Sequence, residues 1–149
     1  MVGRNIQEHA EASAFDMLTP SRAALDLTNY AATLAYLQAH QPDIIVHAAG
    51  KVGGIQANIK APVEFLLHNL DMGRNIVWGA RQAGIRRFIN LGSSCMYPRG
   101  HDTPLKEEQL LTGELEPTNE SYALAKIHAA RLCQYLRRQE PALQYRTLV

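Results

Sequence analysis

Several features are scarce in this sequence, and each scarcity narrows the reading. Only two cysteines, Cys95 and Cys133, occur in 149 residues, far apart. A disulfide-stapled secreted scaffold is excluded, and free thiols point to a reducing compartment. Neither sign of charge dominates: 15 Lys and Arg face 14 Asp and Glu, a formal net charge of +1. A nucleic-acid-binding face needs a basic surplus, so nucleic acid is a poor partner. Long apolar runs are missing too. The longest candidate, Ile44 to Ile55, is broken by His47 and Lys51, and a membrane helix needs about 20 apolar residues. No charged-then-apolar leader opens the chain. The six histidines show no i, i+4 pair, so no metal site is expected. Internal repeats and low-complexity tracts are absent. The default is a soluble, cytoplasmic α/β domain.

What is present alternates. Hydrophobic residues are 46% of the chain, enough for a core. Residues 2–13 read as a helix, with Ile6, Ala10 and Ala14 near one face, and 14–18 as a short strand. Asn29 caps a helix over 30–40, with Pro42 just beyond its end. Residues 43–49, rich in branched side chains, read as a buried parallel strand, with His47 as a strand histidine whose hydrogen bonds are satisfied. Residues 50–58 form a loop with three glycines. Pro62 opens a helix that ends near Ala83, and Gly84 follows it. Residues 87–91 form the next strand, and 121–138 a further helix stopped by Pro141. A last strand covers 144–149. Strand–helix–strand–helix–strand predicts a parallel sheet with helices packed on it. Residues 96–120, with three prolines and two glycines, make a connection longer than usual, which favours a functional loop.

Chemistry concentrates at two places. Tyr122 and Lys126 stand four apart near a helix start, so they share a face. An ammonium beside a phenol favours the phenolate, and a phenol so tuned trades protons near neutral pH. Ser93, in Gly92-Ser93-Ser94 at a strand end, is placed to hydrogen-bond the same substrate oxygen. By itself Tyr-x-x-x-Lys is common on surface helices; the Gly-Ser-Ser strand end gives it weight. Taken without any resemblance, Cys95 reads as a buried thiol ahead of a catalytic one, and Cys133, mid-helix, as core. Asn69, on the long helix, is placed to support a backbone carbonyl near the site or simply to sit on a polar face.

The combination of Gly92-Ser93-Ser94 with Tyr122-Ala123-Leu124-Ala125-Lys126 resembles the extended short-chain dehydrogenase/reductase superfamily. More narrowly, Ala48-Ala49-Gly50-Lys51-Val52-Gly53-Gly54-Ile55, Leu91-Gly92-Ser93-Ser94-Cys95-Met96-Tyr97-Pro98 and Leu115 to Ala123 resemble the GDP-L-fucose synthase family. The resemblance implies a Rossmann-like, doubly wound parallel sheet, lacking here its first strand and its C-terminal substrate domain. It implies NADP(H) as cofactor, a GDP-sugar as substrate and a homodimer. Ser93, Tyr122 and Lys126 match the family's catalytic serine, tyrosine and lysine. Cys95 matches one of two acid/base groups for epimerisation, whose usual partner, a histidine, falls beyond Val149. Gly3 matches the last glycine of the phosphate-binding turn. Arg22 falls where a basic residue meets the 2′-phosphate, and Asp26 and Leu27 lie near the adenine. Ala48, Ala49 and Gly50 pass the cofactor, and Lys51, Val52, Gly53 and Gly54 approach the reaction centre.

The implied reaction is 3,5-epimerisation and 4-reduction of GDP-4-keto-6-deoxy-D-mannose. A ketone at C4 acidifies the protons at C3 and C5, and hydride delivery to C4 fixes the product. Relative to the family pattern, this chain begins at the end of the phosphate-binding turn. The expectation is weak NADPH binding by the chain alone, little turnover, and sheet edges left unpaired. Two rivals stand beside this reading: another nucleotide-sugar epimerase or dehydratase, and a non-catalytic fragment that only binds nucleotide or a partner.

Overall fold

The computed structural model describes residues 2–100 and 104–149. Helix α1 (Val2–Gln7) opens it, followed by a 3-10 turn (Ala10–Ala14). The helix expected over 2–13 is broken because His9 is extended (φ −67°, ψ 142°) and its Nδ1 accepts the Glu11 amide at 3.3 Å. The strand expected at 14–18 does not form. No strand lies beside this segment among the described residues, and Phe15, Met17 and Leu18 are exposed. Helix α2 (Tyr30–His40) has the expected cap, the Asn29 side chain accepting the Ala32 amide at 3.1 Å.

Strand β1 is short, Ile45–His47. The loop expected at 50–58 ends early, in helix α3 (Ile55–Lys60). Buried Asn58 starts that helix by donating to the Gly53 and Gly54 carbonyls at 3.1 and 3.2 Å. Helix α4 (Pro62–Gln82) carries Pro62 in its first turn. It stops at Gly84, whose φ of +80° lets the Ile85 amide turn back onto the Ala80 carbonyl at 2.9 Å. Strand β2 (Arg87–Leu91), helix α5 (Glu120–Gln139) and strand β3 (Gln144–Leu148) complete the order.

The sheet runs β1-β2-β3, both pairs parallel. Helices α2, α4 and α5 pack side by side, and α4 touches α5 most closely where a Cβ on Gly73 would lie 3.0 Å from Ala129. Phe88, Tyr145, Val77, Ala80, Cys133 and Leu37 form the main core. The Tyr145 hydroxyl, inside that core, donates to the Ile85 carbonyl at 2.7 Å. A second cluster (Met96, Leu115, Ala123, Ile127) fixes the long connection against α5. β1 was expected to be buried, yet Val46 is 41% exposed, because β1 has a strand on one side only among the described residues.

Candidate active site

Three turns of chain meet at the C-terminal end of β2. The strand's last residue offers its carbonyl to Lys126: Nζ donates to Leu91 O at 2.9 Å, reaching across from α5. Next comes Gly92. Its amide donates to Leu148 O at 2.7 Å, and a Cβ there would lie 2.9 Å from that same oxygen, so only glycine lets β2 leave the sheet so close to β3. Ser93 is extended, and a single 3-10 turn (Ser94–Met96) follows. Met96 plugs into the second core cluster and thereby orients the turn. Cys95, half-buried, donates its thiol to Ser93 Oγ at 3.2 Å.

Opposite stand Tyr122 and Lys126, on one face of α5 as their spacing predicts. Lys126 is buried and its Nζ lies 5.8 Å from the centre of the Tyr122 ring. The ammonium was expected to favour the phenolate. It does not: burial pushes the Tyr122 phenol up, and a charge on Cys95 would push it further. The reason is geometric, since the ammonium sits over the ring and gives its hydrogen bond to Leu91 O. Burial lowers Lys126, partly offset by Cys95. Burial raises Cys95, against the Ser93 hydrogen bond and the Lys126 charge, which lower it. Tyr122 therefore holds its proton at neutral pH, in the form a general acid needs.

The second assembly is an open cleft along β1. Gly3, Arg22, Asp26, Leu27, Ala48, Ala49, Gly50, Lys51 and Val52 all line it, with further residues of α1. Asp26 makes a tight turn, its Oδ1 accepting from the Thr28 amide (3.0 Å) and hydroxyl (2.8 Å), and these bonds hold its carboxyl below the usual range. Asn75, fully buried on α4, fastens this turn through the Leu27 and Thr28 carbonyls at 2.9 and 3.0 Å. Asn69 does the same for the other rim. Its Oδ1 accepts the Lys51 amide at 2.8 Å and its Nδ2 donates to Lys51 O at 3.0 Å. Lys51 pairs with Glu64 and lies 5.5 Å over the Phe65 ring.

The sequence-based site residues fall into two groups, with the expected substrate-loop residues divided. Ser93, Cys95, Tyr122 and Lys126 form the cluster; nine others line the cleft; Gly53 and Gly54 line neither. A Cβ on Gly53 would meet Phe65 Cζ at 2.8 Å, so packing fixes glycine there. His47 is the bridge, lining the cleft while the Lys126 charge bears on it. It was expected to be hydrogen-bonded. Instead its ring has no hydrogen bond among the described residues, and burial, with Lys126, drives it down to about 3. Glu64, Asn58 and Asn75 carry supporting roles that sequence reasoning did not assign; Glu64 lies thirteen residues from Lys51, and no periodicity links them. Among the described residues no group of His, Cys, Asp and Glu is arranged to hold a metal, and no helix is long and apolar enough to cross a membrane.

A parallel α/β sheet with a cleft along β1 and polar side chains gathered at the end of β2 defines an open α/β fold, a class that binds ligands at the carboxyl ends of its strands. The chain belongs to the NAD dependent epimerase/dehydratase family, whose model matches residues 1–149. It is 50% identical over its whole length to GDP-L-colitose synthase of Yersinia pseudotuberculosis, covering 48% of that protein. It is 44% identical to GDP-L-fucose synthase of Azorhizobium caulinodans, covering 47%. Among solved structures it superposes on GDP-mannoheptose C4 reductase of Campylobacter jejuni with NADP bound (TM-score 0.90, 29% identity, 99% of this chain and 44% of that one). The chain spans about half the length of the curated relatives it matches.

Proposed function

We propose that this chain carries the cofactor cleft and proton-transfer cluster of an NADPH-dependent GDP-sugar epimerase-reductase. The reaction is 3,5-epimerisation and 4-reduction of GDP-4-keto-6-deoxy-D-mannose to GDP-L-fucose. The observation that carries this reading is the joint placement of Ser93, Cys95, Tyr122 and Lys126 at the C-terminal end of β2, where α/β sheets bind ligands. The residues present fit the cofactor. Arg22 is exposed on the cleft and makes no ion pair among the described residues, leaving it free for a phosphate. Asp26 and Leu27 hold the adenine end, and Ala48, Ala49 and Gly50 form a wall of small residues for the rest. NADPH supplies hydride when bound.

The chain's own groups do the remainder. Tyr122, kept protonated by burial, gives its proton to the C4 oxygen, with Ser93 as second donor to that oxygen. Lys126, anchored on Leu91 O, sets the phenol's surroundings and reaches the cofactor ribose. Cys95 serves one of the proton transfers at C3 and C5. Lys51 to Gly54 face the sugar. By resemblance the protein is a homodimer.

The 50% match to GDP-L-colitose synthase, above the 44% match to GDP-L-fucose synthase, favours a second reading in which the product is GDP-L-colitose. The test is NADPH oxidation followed at 340 nm with GDP-4-keto-6-deoxy-D-mannose and, separately, with its 3-deoxy counterpart, the product then matched against GDP-L-fucose and GDP-L-colitose standards. Consumption of the first substrate with GDP-L-fucose formed supports the first reading. Consumption of the 3-deoxy substrate alone, with GDP-L-colitose formed, moves it to the second. Because the chain alone is expected to turn over little, the refuting result is no consumption of either substrate together with no NADPH binding in a fluorescence titration.

A further inference from the structure

Within the cluster, Cys95 and Ser93 are joined directly by a side-chain hydrogen bond: the thiol donates to the serine hydroxyl at 3.2 Å. A hydroxyl has one hydrogen to give and two lone pairs to accept with. While Cys95 is a thiol, it occupies one lone pair of Ser93 and leaves the serine hydrogen free for a substrate oxygen. Once Cys95 is a thiolate, it has no hydrogen to give and becomes the stronger acceptor, because charge-assisted hydrogen bonds outcompete neutral ones. The serine hydrogen then turns to sulfur. We propose that Ser93 is a two-position hydroxyl switch: it serves the substrate oxygen when Cys95 is protonated and the Cys95 sulfur when Cys95 is ionised. No proton passes between the two residues; only the O–H bond rotates about Cβ–Oγ. The consequence, resting on the reading above, is that one serine couples two chemistries and cannot serve both at once.

The surroundings allow this. The turn that holds Cys95 packs against α5, from which Tyr122 and Lys126 are the ionisable groups that act on it electrostatically. On the other side the neighbouring cluster is apolar, with Leu110, Leu115 and Met96. Burial raises Cys95, and the two opposing influences from other side chains are Ser93 and Lys126. Lys126 is held elsewhere, on Leu91 O. Beside a backbone hydrogen bond, Ser93 is thus the neutral side chain placed to follow the sulfur's charge.

The pH dependence of Cys95 alkylation by iodoacetamide, read by mass spectrometry on the intact chain, tests this without nucleotide or sugar, so it stands or falls apart from NADPH oxidation. Ser93→Ala is expected to move the alkylation midpoint upward, slowing modification at pH 8 about tenfold. Ser93→Thr keeps the hydroxyl and is expected to keep the wild-type midpoint. Cys133, buried and pushed up to about 12, stays unmodified in both and so reports an intact fold. A midpoint unchanged or lowered in Ser93→Ala, with Cys133 still silent, overturns the proposal. Ser93→Thr shifting as far as Ser93→Ala overturns it too.

Discussion

Acid should weaken this fold through His47. The residue sits in β1 opposite Asn90 of β2, buried at the floor of the cleft, with its ring centre 6.3 Å from that of Phe88. Burial and the Lys126 ammonium hold its pKa at about 3, against 6.5 when unfolded. The folded value is depressed, so the unfolded chain binds the proton first. The neutral ring's contribution is complete above pH 6.5 and is lost progressively as pH falls from 6.5 towards 3. Each unit in that window costs about 1.4 kcal/mol. From pH 7 to pH 4.5 the loss comes to about 2.5 kcal/mol, a large share of the ~5–15 kcal/mol that holds a domain together. Urea unfolding at the two pH values, in wild type and His47→Asn, isolates it: the wild type should lose about 2.5 kcal/mol more than the variant. An imidazole signal for His47 titrating near 6.5, or equal losses in both proteins, would refute the reasoning.

Three further outcomes are expected. Gly92→Ala drives a Cβ to within 2.9 Å of a backbone oxygen of β3, and should cost about 1–3 kcal/mol, read in thermal unfolding. Asn69→Leu removes both bonds to the Lys51 backbone; amide exchange should accelerate at Lys51 while Thr28, whose turn Asn75 fastens, keeps its rate. Tyr122→Phe removes the proton donor and should slow NADPH oxidation by about 10²–10⁴-fold without abolishing NADPH binding, measured by absorbance and fluorescence titration.

Much of the site was legible because its residues lie close in sequence or on a regular period. Tyr122 and Lys126 share a face by helix geometry alone. The Gly-Ser-Ser strand end followed from β2, whose bounds agree with those expected, and Asn29 and Gly84 mark helix ends by local backbone chemistry. Other features depended on long-range packing. The strand expected at 14–18 had suitable residues but no neighbouring strand, and strand propensity counts for little without one. Helix α3 escaped notice because its N-cap is Gly54, which offers no side-chain cap, while Asn58 braces the entry by reaching back to the Gly53 and Gly54 carbonyls from within the helix.

The sequence by itself determined which groups make up the candidate site: a phenol, an amine, a thiol and a hydroxyl at fixed spacings, and a parallel sheet to carry them. It could not determine their electrostatics. Only the tertiary structure put the Lys126 ammonium on the Leu91 carbonyl instead of beside the phenol hydroxyl, and left His47 neutral. The physical reason is that a pKa depends on desolvation and on neighbours distant in the chain, and both arise only when helix and sheet close on one another.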